Sequence, residues 1–282
     1  MSGIIINPYR FASGLDPAAF VLEWTIPALG SAADRTIVLP SMDDSHSGFT
    51  MDYDVDWGDG SAIENVTTEN KTHEFPSDAS IKIYQVVITG QFGSLNMYRE
   101  TVPTSGGTNY PNNRSYLTKM VQWGTDNIWS SLYRMFYGCT NMLYEATDFP
   151  NITNLVEKTD AREVFYNCSS ITSLDITNWT NTSNFTSIQS FFHGMDACTS
   201  LNASGLDLSS VTTFLRGVRS VGSGVAGGCA IDLSDITWGA LVDLGETFRD
   251  VDALTLDISG WDFGVGSPDV DLLYTFWHLD FN

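Results

Sequence analysis

A phrase built around Phe-Tyr-x-Cys returns at near-constant intervals through the second half of this 282-residue chain. An internal repeat restricts the fold more than any composition figure does. Cys139, Cys168, Cys198 and Cys229 lie 29, 30 and 31 residues apart. Around them stand MFYGCTNM at 135–142, VFYNCSSI at 164–171 and FFHGMDACTSL at 191–201, then a worn GCAI at 228–231 and ETFRDV at 246–251 without the cysteine. A second phrase alternates with the first: LDITNW at 174–179, LDLSSV at 206–211, IDLSDI at 231–236 and LDISGW at 256–261, with DFPNI at 148–152 as an eroded copy. A unit this short cannot bury its own apolar face, so its stability has to come from stacking on neighbours. Residues 116–282 are therefore expected to form a solenoid of about five to six units.

Each phrase has its own physical reading. Apolar-Asp-apolar-Ser/Thr has period two and predicts a short strand with one buried and one wet face. Leu174 and Ile176 then point inward, and Asp175 and Thr177 outward. Asp175, Asp207, Asp232 and Asp257 become an outward row, one per coil. Unpaired, such a row at the inter-strand spacing of ~4.8 Å is costly. Turn-capping hydrogen bonds to the next coil's amides relieve that cost; contacts to receptor hydroxyls or a cation are the functional alternative. The Phe-x-x-Cys phrase suits a single helical turn on the opposite side of the coil. Cysteines recurring at one position predict a buried ladder of free thiols rather than paired bridges. Trp179, Trp238 and Trp261 are expected in the core of the turns, the alternative being a stripe that stacks on sugar rings.

The first half is organised differently. Residues 20–26, 36–39, 49–57 and 81–89 read as strands separated by Gly, Pro, Asp and Ser turns, which predicts a β-sandwich over 20–100. A fragment ending near Tyr110 is expected to fold alone. A polar linker spans 101–115 and an arm spans 1–19. Trp57-Gly58-Asp59-Gly60, followed by His73 and the Tyr84 strand, resembles the PKD-type immunoglobulin-like module, whose turn glycines supply positive φ. The solenoid phrases resemble the leucine-rich-repeat-like units of BspA-type surface proteins over 116–282, a family that also occurs in tailed-phage proteins. The fold expected is mainly β with short helices: a PKD/Ig-like sandwich, then a leucine-rich-repeat-like solenoid.

Asp52, Asp54, Asp56 and Asp59 surround the Trp57 turn, and such acidic, oxygen-rich loops suit Ca²⁺. Strand alternation gives the competing reading, in which Asp52, Asp54 and Asp56 lie on one solvated face. The scattered His46, His73, His193 and His278 lack metal-ligand spacing. No cofactor and no catalytic motif is expected, so the chain reads as non-enzymatic.

A formal net charge of −21 disfavours nucleic acid, whose phosphates need clustered Lys and Arg. From residue 220 onward eleven Asp and Glu face Arg249 alone. The opening residues carry no apolar run of signal-peptide or transmembrane length, so neither Sec export nor membrane insertion is expected. The start, with Asn7, Pro8, Tyr9, Arg10 and Phe11, resembles the starts of marine and cyanophage tailed-phage structural proteins. That resemblance implies an arm docking on a particle, other virion proteins as partners, a host-surface glycan or protein as the outward contact, and possible self-assembly. The expectation is a virion structural protein of the capsid or tail. A bacterial surface adhesin and a tailspike-like polysaccharide depolymerase are the alternatives.

Overall fold

The computed structural model describes residues 14–41, 50–98, 113–153, 161–263 and 269–281. It is mainly β, with very little helix and a β-solenoid of about six turns. The first half holds strands β1 (Phe20–Ile26), β2 (Thr36–Leu39), β3 (Asp52–Asp56), β4 (Glu64–Val66), β5 (Lys71–Glu74) and β6 (Lys82–Gln91). A four-residue helix, α1 (Asn113–Tyr116), leads into β7 (Leu117–Gln122) and β8 (Leu143–Tyr144). The second half adds β9 (Ser173–Asp175), β10 (Ser200–Asn202), β11 (Cys229–Asp232), β12 (Asp252–Asp257) and β13 (Asp280–Phe281).

Sheet order explains how the halves meet. The larger sheet runs β4-β3-β6-β1-β7-β8, and a separate pair joins β2 to β5. Its central strand β1 (FVLEWTI) is paired along both edges and buried except at Glu23 and Thr25, which are half-buried on one face. β7, which the sequence places at the start of the solenoid, pairs antiparallel with β1 and parallel with β8. One strand thus belongs to the first sheet and to the first coil, across the expected boundary at 115. Side chains reinforce the seam. Asn113 Oδ1 accepts from the Val38 amide at 3.1 Å and its Nδ2 donates to the Val38 carbonyl at 3.0 Å. Trp129 packs edge-on against Phe20 at 4.9 Å. Gly124 sits at φ +73°, and a Cβ there would come within 2.4 Å of the Ala18 and Ala19 carbonyls. Only glycine permits this crossing.

The solenoid stacks a five-stranded parallel sheet, β13-β12-β11-β10-β9. On the far side of each coil the expected helical turn is absent. Two left-handed residues four apart take its place: Arg134 and Gly138, Glu163 and Asn167, Ser190 and Gly194, Arg216 and Ser220, Glu246 and Asp250, Tyr274 and His278. Left-handed backbone costs roughly 1–2 kcal/mol for an ordinary residue, and the hydrogen bonds show the compensation. Alternate amides close local turns, such as Cys139 N–H to the Phe136 carbonyl at 3.0 Å. The amides between them reach the next coil: Arg134 to Arg162 at 3.0 Å, Phe136 to Val164 at 2.9 Å and Gly138 to Tyr166 at 2.7 Å. The same three bonds recur down to Glu246, Phe248 and Asp250, which donate to Leu273, Thr275 and Trp277. A helical turn aims every amide along its own chain and could not supply this ladder.

Register corrects the cysteine ladder. All four cysteines are buried, free thiols. Yet the residue after the second left-handed position is Cys139, Cys168, Met195, Val221, Val251 or Leu279, so only two cysteines share it. Cys198 lies three residues further along its coil, with Met142 and Ile171, as the equivalent local bonds to Met195, Cys139 and Cys168 show. Cys229 opens β11, and its Sγ lies 3.4 Å from that of Cys198. The shared position asks for a medium apolar side chain rather than a thiol.

Candidate functional site

Strand pairing places Asp175, Asn202, Asp232 and Asp257 in one row. Asp207 is not in it, contrary to the sequence alignment; it pairs with Thr237 in the following segment of the coil. The neutral Asn202 therefore separates Asp175 from the two carboxylates beyond, which eases like-charge repulsion. Each member caps its own turn instead of the next coil. Asp175 Oδ1 accepts from the Thr177 amide at 3.0 Å and hydroxyl at 2.7 Å. Asp232 does the same with Ser234 at 3.0 and 2.7 Å, and Asn202 with Ser204 at 3.1 and 2.9 Å. Asp207 and Asp257 accept from the amides of Ser209 and Ser259 at 3.0 and 2.9 Å. These are Asx turns, the local chemistry for which Asp and Asn are favoured.

The acidic residues around Trp57 are also engaged. Asn65 Nδ2 donates to both Asp52 and Asp54 at 3.0 Å, and Asp56 caps the Gly58 amide at 2.8 Å. Asp59 accepts from Ser61 at 2.9 and 2.6 Å and contacts His73 Nε2 at 2.8 Å. Burial pushes the Asp59 carboxyl up, but the bonds from Ser61 and His73 prevail and hold it below its ordinary value. His73 in turn stacks on Trp57 at 4.5 Å, and Trp57 Nε1 donates to Glu64 at 2.8 Å. The turn is a packed structural knot. Among the described residues no group of His, Cys, Asp and Glu is arranged to hold a metal ion.

Trp179 and Trp238 are buried and Trp261 is partly buried, so they form core and not an open stacking stripe. Asn7, Pro8, Tyr9, Arg10 and Phe11 lie outside the described residues. No helix among the described residues is long and apolar enough to cross a membrane.

What sequence reading missed is the ridge made by the left-handed turns. Each turn carries two polar or aromatic side chains outward, three residues apart, and stacking aligns them. The Arg134 guanidinium lies 3.9 Å over the Tyr98 ring and 4.7 Å over Tyr133, and Arg134 Nε donates to Glu163 at 2.5 Å. Tyr137 stacks on Tyr166 at 4.6 Å and 3°, and Tyr166 packs against His193 at 4.7 Å. Glu246 is held by Arg216 at 3.0 Å, Arg219 at 2.8 Å and Arg249 at 3.0 Å. That enclosure, led by the Arg216 bond, keeps its carboxyl below the ordinary range. Asp250 continues the row with Arg219, Arg249 and His278 at 3.4, 3.2 and 3.0 Å, and Arg249 covers Trp277 at 4.9 Å.

Among the described residues the ridge gathers Arg114, Arg134, Arg162, Arg216, Arg219 and Arg249, six of the thirteen basic residues of an acidic chain, and no lysine. Guanidinium planes stack on rings and fork to carboxylates, which an ammonium does not do. One signal was available in sequence: a polar or aromatic residue two before, and again directly after, each of the buried Phe136, Phe165, Phe192 and Phe248. Chemically, the ridge offers hydroxyl, guanidinium and carboxylate groups at the coil repeat, fixed by mutual contacts and half exposed. Compared with family models, curated proteins and solved structures, the chain matches none.

Proposed function

We propose that this chain is a non-enzymatic structural protein of a tailed-bacteriophage virion, a capsid decoration, head fibre or tail-fibre component that contacts the host surface. In this reading a PKD-type immunoglobulin-like module carries a leucine-rich-repeat-like solenoid, and the 1–19 arm docks on the particle. The observation that carries it is the ridge. The repeat's carboxylates are consumed by their own turns, so the chemistry left facing outward is a rigid row of Arg, Tyr, His and Glu groups. Donors and acceptors repeated at roughly the strand spacing of ~4.8 Å suit the hydroxyls of a host glycan. Pre-organised side chains also lose little entropy on binding.

The test is a particle carrying Tyr137→Ala and Tyr166→Ala together. Both side chains are half-buried on the outside of the coil, so folding and incorporation are expected to survive while adsorption to host cells falls by about tenfold or more. Unchanged adsorption would remove the ridge from the reading. Antibodies against the chain that label only the bacterial surface and never particles would establish the adhesin alternative. Release of reducing ends from host polysaccharide would establish the depolymerase.

A further inference from the structure

Two of the four buried thiols touch. The Cys229 S–H donates to Cys198 Sγ at 3.4 Å, from one coil to its neighbour. Cys168 is engaged elsewhere, its Sγ donating to the Phe136 carbonyl at 3.1 Å. The coil that carries Cys229 is longer than its neighbours at this point. From the second left-handed residue to the matching strand residue is six positions for Asn167 to Ser173 and for Gly194 to Ser200, but ten for Ser220 to Ala230. The added residues fall in the glycine-rich stretch 222–228, which leads Cys229 onto Cys198. Two of its glycines leave no room for a side chain. A Cβ on Gly222 would lie 2.8 Å from Cys229 Cβ, and one on Gly228 would lie 2.8 Å from the Ala253 carbonyl carbon. Both sit at φ +72°, which glycine adopts without strain. The Gly222 and Gly224 amides tie the stretch to the Met195 and Asp196 carbonyls at 3.2 and 3.0 Å, and the Ser223 hydroxyl donates to Asp196 at 3.0 Å. The pair therefore lies under a thin cover of backbone: Ser223, Gly224, Ala226 and Gly227 are exposed, while Gly222 packs on Cys229.

We infer that Cys198 and Cys229 are an oxidation site, a dithiol that a small peroxide converts into a disulfide clasping two adjacent coils. Adjacent coils stack at the strand spacing of ~4.8 Å, inside the range of Cα separations that a disulfide spans, about 4.4–6.8 Å. With hydrogen peroxide the bond forms in two steps. Cys198, as thiolate, attacks one peroxide oxygen; the O–O bond breaks, and the departing hydroxide takes up the proton Cys198 released. The Cys229 sulfur then attacks the sulfur of the resulting Cys198 sulfenic acid. The S–S bond forms, the S–O bond breaks, and hydroxide leaves with the Cys229 proton as water. Each sulfur loses one electron and the peroxide gains two, so two thiols and one peroxide give one disulfide and two waters. The contact sets the order. The S–H of Cys229 favours the thiolate on Cys198, whose thiol is lowered by that bond, while Cys229 holds its own proton more tightly. What is lost is weak, the S–H contacts to the Ser200 and Ala230 carbonyls at 3.4 and 3.6 Å. What is gained is a covalent tie across 31 residues, which restricts the unfolded chain. This site is separate from the ridge and stands whether or not the virion reading holds.

The probe is hydrogen peroxide applied to the full chain, first reduced with a phosphine and then freed of it. After exposure the protein is unfolded in iodoacetamide and its peptides are mapped by mass. Cys198 and Cys229 are expected in one linked pair of peptides, lighter by two hydrogens than the separate thiols, with Cys139 and Cys168 alkylated. Urea unfolding should give the oxidised form an unfolding constant on the order of 100-fold smaller than that of the reduced form, and phosphine should reverse both changes. Cys229→Ala should abolish the link and the difference in unfolding; if that variant does not fold, the map of the parent chain decides alone. Alkylation of both Cys198 and Cys229 after peroxide would overturn the inference, as would a sulfinic acid at either one. So would a link to Cys139 or Cys168, a link between two chains, or equal unfolding of the oxidised and reduced forms.

Discussion

At the scale of single residues, stacking makes one side chain answerable to its counterparts in neighbouring coils. Ala203 lies between Ile176 and Leu233 in register, and beside it is a small apolar cavity of about 20 Å³ lined by Trp179, Phe185 and Phe192 among others. Ala203→Val should fill part of it and raise stability by about 1 kcal/mol, from two added carbon atoms at ~0.8 kcal/mol each less some strain. A lowered denaturation midpoint would mean that the neighbours cannot yield. His193 is the opposite case, a half-buried polar ring in the ridge. Burial, reinforced by Arg219 and Arg216, lowers its imidazole to about 4. The folded value lies below the unfolded one of about 6.5, so the unfolded chain binds the proton first. The stability His193 permits is therefore complete above about pH 6.5 and is lost as pH falls towards 4. The loss should be at most about 2 kcal/mol, allowing for solvent near the ring. His193→Gln should flatten the stability profile in that window; an unchanged slope would place its origin elsewhere.

At the scale of the element, the coil is held by two devices that repeat with different precision. The strand turn is capped by Asp or Asn through the amide two residues on, and Asn202 fills the role of Asp175 and Asp232 without a charge. Asp232→Ala should therefore cost about 1 kcal/mol, while Asp232→Asn should stay within about 0.5 kcal/mol of the parent. Urea midpoints at constant slope would measure both. A large loss in the Asn variant would show that charge, not the cap, is what the position uses. The second device is the left-handed pair with its three inter-coil bonds. It accepts Arg, Glu, Ser and Tyr at the first position because the backbone ladder offsets the conformational cost. Outward side chains there differ from coil to coil, since the backbone ladder and not the side chain holds the turn.

At the scale of the molecule, β7 makes the two halves interdependent. Removing everything after residue 110 strips β1 of one neighbour and removes Trp123 and Trp129 from Phe20. The fragment 1–110 should then show no cooperative unfolding transition, because its central strand becomes an exposed apolar edge. A sharp melt close to that of the intact chain would show that the first sheet closes its own core. The continuous apolar cluster from Phe20 to Ala253 gives the same expectation, since one core runs from the first sheet into the coils.

Much of this architecture was legible in the residues themselves. Period-two phrases with a buried Leu and an outward Asp set the strands, and their recurrence set the solenoid, because alternation and repetition are local properties that stacking only has to accept. Which residue stacks on which was not legible. The first left-handed residues are separated by 29, 27, 26, 30 and 28 positions, so equal spacing of cysteines or aspartates does not mean equal place. Asn202 displaced Asp207 from the row, and Met195 displaced Cys198 from the core position, because register is fixed by hydrogen bonds between coils and not by counting along the chain. The ridge escaped the sequence for the same reason: Arg134 meets Glu163, and Arg216 meets Glu246, only after a full coil has been laid between them. The sharing of β7 likewise depends on pairs some 95 residues apart, such as Thr118 Oγ1 donating to the Glu23 carbonyl, which no local pattern encodes.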